Sequence, residues 1–341
     1  MARTASLTDV ENILVGHYTD PGRPTGCTVI TSQLPFVAGV DVRGGGPGTR
    51  EVELLKPENS VDRVDAIFLA GGSAFGLDAG SGISQYLEEH GRGFDTRIAI
   101  VPIVCGAILF DLALGDSRIR PDSATGYKAI QTASRGKVAE GNVGAGAGAT
   151  VGKLLGADRA MKGGIGSWAL SRPDGLRVGA LTAVNAVGDI VDPSNGRIVA
   201  GARRKDGKGF VGALEQLRKG YDPGSSFAGN TVLSVVATNA ALTKTQCTKV
   251  AQMAQDALAR CIYPAHMPWD GDTVFAVSTG TWLPDRAPDV GTIGALAADA
   301  LAVAILRGVR MCESWGDYPA ASRYPASKRT RLKGTRKARK N

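Results

Sequence analysis

The chain has 341 residues and a mass of 35.3 kDa, with 43% hydrophobic and 21% charged residues, enough for a substantial buried core. Residues 317–341 carry nine Lys/Arg and one Asp, a net of +8, which equals the whole-chain charge of +8 and leaves residues 1–316 at zero. The basic pI of 9.3 therefore describes a tail and argues against a nucleic-acid-binding body.

The first half of the chain alternates strand-like runs with glycine punctuation. Residues 27–31 (CTVIT) and 36–42 (FVAGVDV) read as strands, followed by a turn at 43–48 (RGGGPG). Residues 66–70 (AIFLA) form a short apolar strand that runs through Gly71 and Gly72 into a helix predicted over 73–90. A Gly/Ala run occupies 141–152, and residues 178–184 form the next strand, with Asn185 at its end. Residues 219–229 have the Asp-Pro-Gly and Ser-Ser chemistry of a loop, and 231–238 (TVLSVVAT) is a β-branched strand. A helix is predicted over 243–262, opened by a Thr243/Gln246 capping box and closed by Pro264. Residues 273–278 form a strand. Residues 291–310 form a long helix, apolar almost all round and so expected between other elements. The basic stretch 317–341 is expected to be a disordered tail, solvated or at most weakly attracted to nucleic acid or acidic surfaces. The order of elements fits one layered α/β domain over 1–316.

Five dispersed cysteines without a Cys-x-x-Cys pair read as buried reduced thiols, as in a cytoplasmic protein. No apolar run of 18 residues exists and the N-terminus lacks a signal-peptide pattern, so no membrane association is expected. Three histidines and no H-E-x-x-H give no zinc site, the G-x-x-x-x-G-K-[ST] pattern fails at Ala147 and Leu154, and G-x-S-x-G is absent. No metal or organic cofactor is expected.

One tripeptide remains, Gly229-Asn230-Thr231, between a loop and an apolar strand. A Thr that becomes an N-terminus joins nucleophile and base in one residue, because its α-amine, pKa about 7.7–8.0, can take the hydroxyl proton. By spacing alone, a strand that merely begins with Thr would look the same.

The surrounding motifs add a resemblance. AGNTVLSVVATNAALT at 228–243 and MPWDGDTVFAVST at 267–279 resemble the family of L-aminopeptidase/D-esterases, β-aminopeptidases and nylon-oligomer hydrolases. VGHYTD, TGCTVI, DVRGGGPGTRE, FLAGGSAFGLDAGSGI, VPIVCGAILFDL, VGAGAGATVGK, MKGGIGS and LTAVNAVGDIVDP match in the same order, together spanning roughly residues 8–312. The Asn-Thr junction looks closest to the nylon-oligomer hydrolase branch. The resemblance implies a four-layer αββα sandwich built jointly by two chains, 1–230 and 231–341, after self-cleavage between Asn230 and Thr231. It implies amide hydrolysis of small peptides, amino-acid amides or esters, or 6-aminohexanoate oligomers through an acyl-enzyme, by a homotetramer of αβ units.

By the same resemblance, Asn185 hydrogen-bonds Thr231 or the oxyanion. Lys153, with Lys162 competing for the role, lowers the pKa of the Thr231 amine. Asp270 and Asp272 orient Thr231 or pair with its ammonium. Phe110 stands where some relatives place a substrate-contacting Tyr, which suggests a more apolar pocket. His266 is expected to be structural. Two other readings are an acyl transferase of the ornithine acetyltransferase type, whose N-terminal motifs match poorly, and a non-enzymatic homologue tethered by its basic tail.

Overall fold

The computed structural model describes residues 5–223, 230–284 and 289–324. Eight principal strands and five of the six α-helices among the described residues build it: β1 (Ile13–Thr19), β2 (Gly26–Val42), β3 (Val64–Ala70), α1 (Ala79–Glu89), β4 (Val104–Ile108), α2 (Ser123–Gln131), β5 (Ile165–Ser171), β6 (Arg177–Asn185), β7 (Thr231–Ala240), α3 (Lys244–Ala254), α4 (Asp256–Cys261), β8 (Thr273–Trp282) and α5 (Val290–Arg310).

The strands run in the order β5-β6-β7-β8-β2-β3-β4, with β1 also on β2. β7–β8 and β3–β4 are parallel and their neighbours antiparallel, so the sheet is mixed. β2 joins two halves. Its first part pairs with β1 and β3, and its second part with β8. The sequence suggested two strands here. The structure has one of 17 residues, with a register shift between Thr31 and Phe36. Pro35, which has no N–H to give a ladder, lies within the shift.

Alternation along the strands creates four layers. On β7, Leu233, Val235 and Ala237 face the same core as Ile67 and Leu69 of β3 and Cys105 and Ala107 of β4. That core lies between the two halves of the sheet. Val232, Val236 and Ala240 face the opposite way, onto α3 and α5. Ala66, Phe68 and Ala70 of β3 face α1 and α2. Strands covered on both faces read as continuous apolar runs, which is why their periodicity was weak in the sequence. Each fully buried Val, Leu or Phe contributes roughly 1.5–3 kcal/mol.

Several helix expectations change in detail. Residues 73–78 form a 3-10 turn before α1, entered through Gly72 and Ser73 at positive φ. The Thr243/Gln246 capping box is present, but the predicted single helix breaks at Gln255 into α3 and α4. Gln255 is buried and its side chain donates to the Asp41 carbonyl at 2.9 Å, which anchors the break to β2. α5 is long and apolar enough by composition to cross a membrane. Its Ile293, Leu301, Ile305 and Val309 are buried against the sheet. All five cysteines are buried and unpaired.

The boundary of the expected tail moves. Residues 317–324 pack on the body: Pro319 accepts the Lys162 N–H, Ala320 and Ala321 are buried, and Tyr324 meets the Phe210 ring. The remainder of that stretch, like residues 224–229 of the expected loop, lies outside the described residues.

Candidate active site

Thr231 opens β7 at the end of the inter-sheet core, and both it and Asn230 are buried. The Thr231 hydroxyl donates to the carbonyl of Asn230, the residue before it, and accepts the Gly271 N–H at 3.2 Å. That approach requires glycine, since a Cβ at 271 would lie 2.6 Å from Thr231 Oγ1. The Asn230 side chain is buried with no hydrogen-bond partner for either Nδ2 or Oδ1. Leaving a buried polar group unpaired costs about 1–3 kcal/mol, so this junction is locally unfavourable.

The 267–272 loop is held by the glycine turn after β2. Arg43 and Gly44 donate their N–H groups to the Asp272 carbonyl, and Gly46 donates to Asp270 O at 2.7 Å. A Cβ on Gly44 would meet Asp270 O at 2.2 Å. The RGGG run is thus a close-fitting support for the Asp270-Gly271-Asp272 turn.

Asp272 is buried and reaches two elements. Its Oδ1 accepts the Val232 N–H at 2.8 Å, pinning the residue after Thr231. Its Oδ2 accepts the His266 N–H at 3.0 Å and lies 2.9 Å from His266 Nδ1. Asp270 Oδ2 accepts the Met267 N–H at 2.9 Å, while its Oδ1 is buried without a hydrogen bond. Burial, and then the neighbouring Asp272 carboxylate, push the Asp270 carboxyl well above the usual range.

Asn185 is the register partner of Thr231 across β6 and β7. Its side chain is turned to other groups, however. Oδ1 accepts from Lys153 Nζ at 2.8 Å and from Thr150 N at 3.0 Å, and Nδ2 donates to the Phe110 carbonyl at 3.1 Å. Thr231 Oγ1 has its hydrogen bonds with Asn230 and Gly271 instead, so the expected contact from the Asn185 amide to Thr231 is not made in the continuous chain. Phe110 reaches this cluster through its main chain.

Lys153 and Lys162 are separated by their surroundings. Lys162 is fully buried, and its Nζ donates to three carbonyls, of Gly146, Ala149 and Gly163, at 3.1, 2.9 and 2.6 Å. Those three bonds use every ammonium proton. Lys153 Nζ reaches both Oδ1 and the carbonyl of Asn185, within the field of Asp270, Asp111 and Asp272. Burial lowers its pKa to about 7 against those carboxylates. Of the two candidates, Lys153 is the one joined to the register partner of Thr231.

Among the described residues, no group of three or more His, Cys, Asp or Glu side chains could hold a metal ion. His266, expected to be structural, holds Asp272, a partner the sequence did not indicate. Arg23 forms a buried ion pair with Asp111 at 3.0 Å, next to Phe110. Nothing in sequence spacing joins residues so far apart.

A buried hydroxyl at a strand start, in a cluster with a lysine and two carboxylates, is an arrangement suited to acyl transfer. The family model for peptidase family S58 matches residues 5–318. The chain belongs to peptidase family S58. It is 43% identical to an uncharacterized aminopeptidase of Mycobacterium leprae (strain TN), over 92% of each chain. It is 31% identical to a 6-aminohexanoate-oligomer endohydrolase of Kocuria sp. (strain KY2), over 89% of this chain and 85% of that one. In structure it resembles the L-aminopeptidase D-Ala-esterase/amidase of Ochrobactrum anthropi, described as a variant of the Ntn hydrolase fold. That match has a TM-score of 0.68 and 21% identity, over 96% of this chain and 92% of the other. The S58 chain is accordingly a hydrolase of peptide or amide bonds.

Proposed function

We propose that this S58 hydrolase uses Thr231 as an N-terminal nucleophile, freed by self-cleavage between Asn230 and Thr231. The observation that carries the reading is the Thr231 hydroxyl held against the Asn230 carbonyl at a buried strand start. In the first step Oγ1 adds to the Asn230 carbonyl carbon, the C–N bond breaks, and the hydroxyl proton passes to the new amine. Water then hydrolyses the ester, leaving chains 1–230 and 231–341 sharing one core. In catalysis the Thr231 amine takes the hydroxyl proton, Oγ1 attacks a substrate amide, and the leaving amine takes the proton before water releases the acyl group. Lys153, with a pKa near 7, places a tunable positive charge beside this chemistry, and Asp272 fixes the first turn of backbone after the cut through Val232.

The substrates proposed are small peptides, amino-acid amides or esters, and 6-aminohexanoate oligomers. The names of the relatives support both ends of that range, the mycobacterial aminopeptidases at 43–44% identity and the nylon-oligomer hydrolases at 31–34%. The test is the intact mass of the purified protein under denaturing conditions. Two chains meeting at Asn230/Thr231, with release of amine from an amino-acid amide, are expected. A single chain that still hydrolyses amides would overturn the mechanism.

A further inference from the structure

Asp111 is fully enclosed, and each of its oxygens is committed. Its Oδ1 accepts from Gly72 N at 2.9 Å and from Arg23 Nη2 at 3.0 Å, and its Oδ2 accepts from the Thr25 hydroxyl at 2.6 Å. Its main-chain carbonyl also accepts from Arg23 Nη2. Arg23 is buried too, and its remaining donors go to the Leu114 and Ile119 carbonyls at 2.6 and 2.7 Å. A Cβ on Gly71 or Gly148 would strike the Asp111 carboxylate, at 2.1 and 2.6 Å, so two further segments close on it. A buried ion pair is poor value as a source of stability, because desolvation offsets much of the attraction. Its place in the chain suggests another use. The peptide immediately before Asp111 supplies the Phe110 carbonyl, the acceptor for Asn185 Nδ2. That bond, together with the Thr150 N–H on Oδ1, sets which end of the Asn185 amide faces Lys153.

We infer that the buried Arg23–Asp111 pair is a positioning device for the Thr231 site: it fixes the Phe110 carbonyl, which orients the Asn185 amide toward Lys153. The Asp111 carboxylate has a second effect, because it favours the protonated form of Lys153. Among the described residues, the other charged groups acting on Lys153 are Asp270, Asp272 and Lys162. The inference rests on Thr231 as the nucleophile.

Two variants separate geometry from charge. In D111N the amide oxygen can keep the Gly72 and Arg23 bonds, and its NH2 can donate to a reversed Thr25 hydroxyl, so the geometry survives without the charge. In D111A both are lost. Hydrolysis of an alanine p-nitroanilide is followed across pH, with cooperative unfolding as the check on folding. D111A should lose about 10- to 100-fold in kcat with KM within about threefold, as expected when orientation rather than binding fails. D111N should lose far less, while the limb of its pH profile that reports Lys153 moves to lower pH. A purely structural role would not move that limb. A folded D111A with wild-type kcat overturns the positioning role, and a D111N profile that does not shift overturns the charge effect; if D111A does not fold, R23K, which keeps the charge but not both bonds from Nη2, takes its place with the same readout. T231A is run beside them. If T231A still hydrolyses the anilide, the nucleophile assignment fails; if it is inactive and folded D111A keeps wild-type kcat, only the positioning role fails.

Discussion

Two buried polar clusters lie close together in this molecule, and they differ in how completely they are satisfied. Around Lys162, the Gly/Ala run folds so that three carbonyls receive all three ammonium protons. Around Thr231, the Asn230 amide and Asp270 Oδ1 are buried without hydrogen bonds. The first cluster is complete and has no atom left to react. The second keeps unpaired polar groups beside a hydroxyl and a carbonyl, at a cost that the surrounding sheet must offset. Saturation fits a structural lysine, and incomplete satisfaction fits the reactive site proposed at Thr231.

The largest expected effect tests the second cluster. Thr231→Ala should abolish self-cleavage and lower amide hydrolysis by more than about 10³-fold, with the fold intact. Intact mass and amine release measure both, and a cleaved, active variant would erase the distinction drawn here. Lys162→Met should act in the opposite way. It leaves three carbonyls without their donor and should lower stability by about 2–4 kcal/mol, read by urea unfolding, while kcat of the folded fraction changes little. A large loss of kcat at unchanged stability would place Lys162 in the chemistry. Asn185→Ala comes next. It removes the side-chain acceptor of Lys153, leaving the Asn185 carbonyl, and should cost about 1.5–3 kcal/mol of transition-state stabilisation, roughly 10- to 100-fold in kcat/KM. Wild-type kinetics would detach Asn185 from the site.

The sequence distinguished these clusters only in part. Thr231 was singled out by its place at a loop–strand junction together with the motifs around it, and the strand itself was legible from its β-branched run. The capping box at Thr243 was legible because it is a local rule, obeyed locally. The end of that helix was not, because Gln255 turns to the Asp41 carbonyl, a partner 214 residues away. The same limit hid the choice between Lys153 and Lys162, which depends on whether carbonyls or an Asn side chain surround each ammonium. It hid Arg23–Asp111 as well. His266 holds Asp272, a structural role of the kind expected for it, but the partner itself is seen only in the fold.

The smallest effect concerns the pH dependence of stability, because burial lowers the pKa of both lysines, to about 7 at Lys153 and about 8 at Lys162. It is best measured in the Thr231→Ala background, where the chain is expected to stay whole. The pKa of Lys153 is lowered from 10.5 to about 7 in the folded protein, chiefly by burial. Between those two values the unfolded chain binds the proton and the native state does not. Stability must therefore rise with pH across this window, with a slope for this one group of at most about 1.4 kcal/mol per pH unit. Lys153→Met removes the group from both states and should flatten the rise, so the unfolding free energies of the two proteins diverge between pH 7 and 10. The difference will be smaller than the limiting slope, because Lys153 is partly open to water and the carboxylates of Asp270, Asp111 and Asp272 favour its charged form. Parallel curves would mean that Lys153 keeps its proton throughout this window.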